Sequence, residues 1–582
     1  MQKTSQEKIY ADEIVDFLVS HKITKVFDLT GGMIAFIEDA IGRHQEIECI
    51  PMHHEQAAGF AAEGYARTSG KFGVAMATSG PGATNLITAI GSCFFDSVPA
   101  LFITGQVHSK NLKKKAEVRQ EGFQETDIVS MVKHITKFAV QVASPEEIVP
   151  NLVKAYSIMK EGRPGPVLID IPINFQRTKV SNKKISLNKI AKNNNRIDNK
   201  KKIKELEDLL EKSTAPLLLV GHGVRIAQAE ELLAKFQKNN NLPVVSSLMG
   251  LDVFPHNKNF VGYIGTNGNR DANIIFANAD LIIVLGSRLD LRQTGDPDLF
   301  NKSAKIVHVD IDEYSINYGI KSTLFFVSDL KDFLLDVEHL KTSSKAVWVK
   351  FISKIKKHFS RVELPGKSVN PNLFFNELSS IAHKNTVAVI DVGQNQQWCA
   401  QSWKVQKGQR LLFSGGMGAM GFSLPAAIGA WYTDMTTPVV VITGDGGLQI
   451  NIQELETVSR NKIPLKIFVF NNKSLGMVRE FQDLYLNKNT YTTVGGYGNP
   501  DFKKLSSAYN ISYSLISKNV GTQRLNEILN SSVAEFVEVL VDAEAPLHPR
   551  TVYGHALDDQ APYLSVEQKE LLESLKAELH TR

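Results

Sequence analysis

The chain has 582 residues, 43% of them hydrophobic and 22% charged, with a formal net charge of +5. That length suggests three or four domains with sizeable cores, and so small a charge on so long a chain excludes a nucleic-acid binder built around a basic face. Cys49, Cys93 and Cys399 stand far apart with no CxxC, which excludes a disulfide framework or zinc cluster and fits a reducing compartment. The charged, polar start is unlike a secretory signal, and no apolar run approaches the roughly 18 residues that span a bilayer. The expectation is a cytoplasmic protein that works on small molecules, with neither nucleic acid nor membrane as partner.

In chain order, a helix is predicted over 10–22, followed by strands over 25–28, 73–77, 100–104 and 166–171. The breaker Gly162-Arg163-Pro164-Gly165-Pro166 precedes the last of these. Residues 181–202, rich in Lys and Asn, read as a solvated linker. A second block has strands over 216–220, 243–246, 281–285 and 305–309, and 341–366 reads as another connection. A third block has strands over 387–391, 438–443, 466–470 and 537–541, and a charged helix is predicted over 565–579. This alternation predicts an α/β chain of three doubly wound parallel-sheet domains at 1–180, 200–340 and 368–545, with a tail over 546–582.

The strongest signal lies in the third block. Gly444-Asp445-Gly446 follows one apolar run, Asn471-Asn472 closes the next, and a helix is predicted between them over 448–461. Ligands bind at the carboxyl ends of strands in open α/β sheets. An Asp and an Asn meeting there supply hard oxygens for Mg²⁺, while Gly446 and Gly447 let a diphosphate approach the backbone. The same Gly-Asp-Gly can also be an ordinary βα turn with a capping Asp; the Asn pair tips the reading toward a site.

Other segments are ambiguous by themselves. Glu55, in His53-His54-Glu55, is placed at a helix start, where a carboxylate is commonly a simple cap. Ser79-Gly80-Pro81-Gly82-Ala83-Thr84-Asn85 and Asp96-Ser97-Val98-Pro99 each read as connections. Gly221-His222-Gly223 follows a strand but lacks the third glycine of a dinucleotide fingerprint, since position 226 is Ile.

Taken together and in order, these segments resemble the large subunit of acetohydroxyacid (acetolactate) synthase, a thiamine-diphosphate enzyme. The likeness runs from Val26 to about Asp542. It includes Phe123-Gln124-Glu125-Thr126-Asp127, Asp391-Val392-Gly393-Gln394-Asn395-Gln396-Gln397-Trp398 and the glycine-rich stretch that begins Ser414-Gly415-Gly416-Met417-Gly418-Ala419-Met420. The resemblance implies that Glu55 hydrogen-bonds the aminopyrimidine of the cofactor, which supplies a carbon nucleophile. Gly418 and Met420 then match the aminopyrimidine contact and the side chain that bends the cofactor. Asp445, Asn472 and the Ser474 carbonyl match Mg²⁺ ligands, and Gln394, Gly446, Gly447 and Gly476 match the diphosphate surroundings. Gly32 and Met477 match further cofactor positions, and Phe123 and Gln124 match residues lining the reaction space. FAD is implied for the middle domain, around Arg163, Gly221, Gly223, Met249, Arg288, Asp290, Asp310 and Asp329. Arg292 is the candidate for holding the carboxylate of the second substrate. Because the two cofactor-binding domains come from different subunits in that family, a homodimer or homotetramer is implied, with Glu55 facing the partner's Asp445.

The expected activity is decarboxylation of pyruvate and addition of the two-carbon unit to a second 2-keto acid. Departures near the acceptor pocket keep an alternative open. The family's Lys is Asn174 here, its Trp is Phe481, its Met-His-Gly is Thr266-Asn267-Gly268 and a His is Asn395. These changes and the tail over 556–565 also suit a YerE-type carboligase acting on a nucleotide-linked keto-sugar.

Overall fold

The computed structural model of the chain describes residues 7–180, 199–343, 345–360 and 368–580. Its principal strands form three parallel six-stranded sheets flanked by helices. The first contains β1 (Lys25–Leu29), β2 (Glu48–Pro51), β3 (Gly73–Ala77), β4 (Ala100–Gln106), β5 (Phe138–Gln141) and β6 (Val167–Pro172), in the order β2-β1-β3-β4-β6-β5. The second contains β7 (Pro216–Val220), β8 (Val244–Ser246), β9 (Phe260–Tyr263), β10 (Leu281–Leu285), β11 (Lys305–Asp310) and β12 (Leu324–Val327), in the order β12-β11-β10-β7-β8-β9. The third contains β13 (Val387–Ile390), β14 (Arg410–Phe413), β15 (Val439–Gly444), β16 (Lys466–Asn471), β17 (Ser512–Ile516) and β18 (Glu535–Leu540), in the order β14-β13-β15-β16-β18-β17. The third sheet thus repeats the connectivity of the first, whereas the middle sheet has the order of dinucleotide-binding folds. The expected α/β class of three doubly wound sheets is what the chain adopts.

Every strand predicted from the sequence is an inner strand, buried on both faces, and every strand left unpredicted is an edge. Inner strands such as β3 and β10 are buried along their whole length and read as continuous apolar runs. Edge strand β17 is largely open to solvent and β5 is only half-buried, so neither carries that pattern.

Three connecting segments differ from expectation. The segment 341–366 contains a helix, Ala346–Phe359, whose Trp348, Phe351, Ile352, Ile355 and Phe359 are buried. Its charges occupy the opposite face, which disguised the apolar stripe. Most of the Lys/Asn-rich linker, 181–198, lies outside the described residues, and its last residues open the helix Lys200–Lys212. The helix expected over 448–461 is two short ones, Asp445–Ile450 and Glu454–Arg460. Between them Asn451 leaves helical geometry and its amide donates to the Gly421 carbonyl at 2.8 Å.

The first and third domains share one core through the helices Glu55–Ser69 and Ser423–Trp431. A Cβ on Gly64 would lie 2.0 Å from the Ala426 carbonyl oxygen, and one on Gly429 would lie 1.8 Å from that of Ala61. Glycine at both crossings allows the two backbones to touch. The tail returns to the middle domain, where Leu572, Leu575 and Leu579 of the helix Val566–His580 are buried against the helix Ala346–Phe359. Among the described residues no helix is long and apolar enough to cross a membrane.

Candidate active site

Strands β15 and β16 run side by side, with Gly444 opposite Phe470, so Asp445 and Asn471-Asn472 emerge next to one another at their carboxyl ends. Asp445 is buried, and burial pushes its carboxyl up to about 6 against the opposing donors Asn499 and Tyr497. Asn499 Nδ2 donates to Asp445 Oδ2 at 2.7 Å and to Asn471 Oδ1 at 2.8 Å. Asn472 Nδ2 donates to Gln394 Oε1 at 2.9 Å, and Asn472 Oδ1 accepts the Ser474 N–H at 3.1 Å. A Cβ on Gly446 would lie 3.5 Å from Met420 Cε, so the Met420 side chain reaches the Asp445 turn. Met477, on the helix Gly476–Tyr485, is partly exposed.

This donor set fits a hard cation held with a diphosphate. Its oxygens are carboxylate, amide and carbonyl, the types that suit Mg²⁺. The Ser474 hydroxyl and Asn499 Oδ1 are buried with no partner among the described residues. Among the described residues no three His, Cys, Asp or Glu side chains cluster to hold a metal. His53, two residues before Glu55, pairs its Nε2 with Glu456 Oε2 at 2.6 Å.

The second group lies on the first domain. Glu55, 6% exposed, begins the helix Glu55–Ser69, and its Oε2 accepts the Asn85 amide at 2.9 Å. A Cβ on Gly82 would lie 3.2 Å from Glu55 Oε1, and one on Gly80 would lie 2.9 Å from Gln124 Cβ. The Ser79–Asn85 turn therefore brings Gln124 and Glu55 to one face. Phe123 is 81% exposed, with its ring outside the packing of this chain. Gly32 is also exposed and has open space around it.

The third group surrounds a cavity of about 540 Å³ where all three domains meet. Arg163, Gly223, Met249, Arg288, Asp290, Arg292, Asp310, Asp329 and Gly418 all line it. Gly221 does not: it packs behind the wall, where a Cβ would lie 2.1 Å from the Gly286 carbonyl. Arg163 reaches Ser97 at 2.7 Å and Asp312 at 3.2 Å, and Arg288 pairs with Asp290 at 3.1 Å. Arg292 is exposed and makes one long contact through its guanidinium, 3.4 Å to the Gly415 carbonyl. Burial raises the Asp310 carboxyl above its ordinary range, while the Asp329 carboxylate caps the Lys331 N–H at 2.8 Å. A cavity walled by three arginines between polar turns fits an elongated anionic ligand such as a dinucleotide.

At the positions of departure, Asn174 bonds Ser109 at both its backbone N–H and its hydroxyl, and Phe481 is half exposed beside Tyr485. Asn499 and Tyr497 escaped the sequence reading. They sit in a glycine-rich stretch after a helix, and only the folded chain brings them to Asp445.

Models of the thiamine pyrophosphate enzyme N-terminal TPP binding domain, central domain and C-terminal TPP binding domain match residues 9–131, 203–337 and 391–543. Fold and site together therefore define a thiamine pyrophosphate enzyme. The chain is 34% identical to the probable acetolactate synthase large subunit of Methanocaldococcus jannaschii, over 96% of each chain. It is equally 34% identical to the acetolactate synthase large subunit of Haemophilus influenzae, over 96% of this chain and 99% of that one. To the large subunit of acetolactate synthase isozyme 2 of Escherichia coli it is 34% identical, over 95% of this chain and all of the other. The chain belongs to the acetolactate synthase large-subunit family of thiamine pyrophosphate enzymes.

Proposed function

We propose that the protein is a thiamine-diphosphate- and Mg²⁺-dependent carboligase that decarboxylates pyruvate and adds the two-carbon unit to a second 2-keto acid. The observation that carries this reading is the oxygen-rich turn around Asp445, Asn472 and Ser474 in a chain similar along its length to proteins named acetolactate synthase. Those names favour a keto-acid acceptor over a nucleotide-linked keto-sugar.

When bound, thiamine diphosphate supplies the carbon nucleophile that attacks the keto group of pyruvate. The residues do the rest. Asp445, Asn472 and the Ser474 carbonyl hold Mg²⁺, and Gln394, Gly446, Gly447 and Gly476 shape the place of the diphosphate. Gly418 would contact the aminopyrimidine through its backbone, and the Met420 side chain would bend the cofactor. Glu55 holds a proton at its carboxylate oxygens against the aminopyrimidine, with Asn85 fixing the orientation of the carboxylate. Gln124 and Phe123 would border the reacting groups. The free guanidinium N–H groups of Arg292 suit bidentate capture of the acceptor carboxylate. Arg163, Gly223, Arg288, Asp290, Asp310 and Asp329, which line the middle-domain cavity, would hold FAD there. The catalytic unit is at least a homodimer, in which Glu55 of one chain works with the Asp445 turn of the other.

Incubation with pyruvate, Mg²⁺, thiamine diphosphate and FAD, followed by mass spectrometry, tests this. Acetolactate accompanied by CO₂ supports the reading; pyruvate left untouched, or consumed only when a keto-sugar is added, refutes it.

A further inference from the structure

We propose that Asp96 is a positioning residue that makes the thiamine site and the middle-domain cavity one mechanical unit. The inference rests on the reading of Gly418 and Met420 as cofactor contacts. By itself Asp96 looks like the end of a helix: it closes Ile87–Phe95 in the first domain. Its carboxylate does something else. Oδ2 accepts the Gly415 N–H at 2.9 Å and Oδ1 the Gly416 N–H at 2.7 Å, and both donors belong to the third domain.

The surroundings keep that grip in place. Asp96 is 5% exposed, with Arg67 Nη1 3.9 Å from its Oδ2. The same Arg67 nitrogen donates to the Phe413 carbonyl at 2.7 Å and to Glu63 at 3.2 Å. The exit of β14 is therefore held from the first domain at two successive points, a carbonyl by Arg67 and two N–H groups by Asp96. Steric contact closes the other sides. A Cβ on Gly416 would lie 2.6 Å from Phe95 Cβ, and one on Gly415 would lie 2.5 Å from Met249 Sδ.

A second carboxylate anchors the far end of the loop. Asp391 accepts the Gly421 N–H at 2.9 Å and the Ser423 N–H at 3.0 Å. The stretch from Met417 to Met420 is strung between these two anchors. On one side Gly415, Gly416, Met417 and Gly418 line the cavity; on the other Met420 reaches the Asp445 turn. A glycine-rich loop has little side-chain packing to define it and much backbone freedom to lose on binding. Anchored at both ends, it moves as one piece, so a ligand that orders its cavity face also orders the Met420 face. Since ligands on both sides touch the same loop, occupancy of one site raises affinity at the other, and the coupling is reciprocal.

Calorimetric titration of thiamine diphosphate in excess Mg²⁺, with and without saturating FAD, tests this on wild type and Asp96→Asn. FAD is expected to tighten thiamine diphosphate at least about fivefold in wild type. In Asp96→Asn, which turns an N–H donor toward one of the two glycine N–H groups, the Kd rises about tenfold and the FAD effect falls below about twofold. The coupling ratio is the telling readout, because a merely destabilising substitution leaves it unchanged. Gly416→Ala presses the loop off Phe95 while keeping the Asp96–Arg67 pair, and it decides the matter if Asp96→Asn does not fold. A coupling ratio unchanged in a folded variant, or absent from wild type, overturns the proposal. Wild type that binds no thiamine diphosphate overturns the functional reading beneath it instead.

Discussion

Gly476 abuts Gln394 so closely that a Cβ on it would lie 1.9 Å from Gln394 Oε1 and 2.8 Å from Asn472 Nδ2. The hydrogen bond from the Asn472 side-chain amide to Gln394 Oε1 spans the ends of two elements, and the absent Cβ of Gly476 leaves room for it. Gly476→Ala forces both amides aside, at about 1–3 kcal/mol for an overpacked site. Thiamine diphosphate affinity is expected to fall at least about tenfold, measured by calorimetry in excess Mg²⁺. Unchanged affinity would separate this pair of amides from the cofactor.

Among the described residues Glu55 has one side-chain donor, Asn85, and its carboxylate is otherwise available to a ligand. Glu55→Gln keeps the shape and removes the ability to hold and release a proton. Turnover of pyruvate is expected to drop about 10²–10⁴-fold. The Kd for thiamine diphosphate with Mg²⁺ should stay within about threefold, because a single hydrogen bond to the head of the cofactor is worth little beside its tethered tail. Steady-state rates and calorimetry on the same preparation check both halves.

The sheets were legible from the sequence only where strands are buried on both faces, because burial on both sides removes polar residues from the pattern. β2 and β17 are short, partly solvated edges whose residues mix polar and apolar types, and periodicity has little to detect there. The Asp445 turn was legible because its chemistry is local to two strand ends. Asp96 was not: as a connection it looks ordinary, and its partners Gly415 and Gly416 lie some three hundred residues further along the chain. Gly221 shows the reverse case: a glycine after a strand looks like a ligand contact in the sequence, and in the fold its missing Cβ makes room for the neighbouring turn.

A carboxyl pair in the first domain gives a pH dependence of stability. Asp28 on β1 faces Glu38 from the helix Ala35–Arg43, and Asp28 Oδ1 and Glu38 Oε1 are buried without a donor among the described residues. The Cys49 thiol on β2 opposes the rise at Asp28, and Thr30 and the Gly31 N–H oppose it at Glu38. Burial, reinforced by the charge of Glu38, pushes Asp28 from its ordinary 3.8 up to about 7. The folded value lies above the unfolded one, so this stabilisation is fully present below the ordinary carboxyl range and is lost as pH rises through about 7. Between pH 5 and pH 8, Asp28→Asn should gain on wild type by on the order of 1–3 kcal/mol in urea unfolding of the cofactor-free protein. Parallel pH curves for the two proteins would show that the pair does not share a proton.

The account turns on the Glu55 carboxylate of one chain serving the Asp445 turn of another, and mixed oligomers test that directly. Neither Glu55→Gln nor Asp445→Ala is expected to be active by itself. When the two variants are co-expressed and the doubly tagged mixed dimer is purified, one of its two sites combines an intact Glu55 with an intact Asp445. That dimer should recover about half of the wild-type rate of pyruvate turnover per dimer, as the pairing of separate halves requires. A mixed dimer as inactive as its parents would place both residues of each site on a single chain and contradict the account.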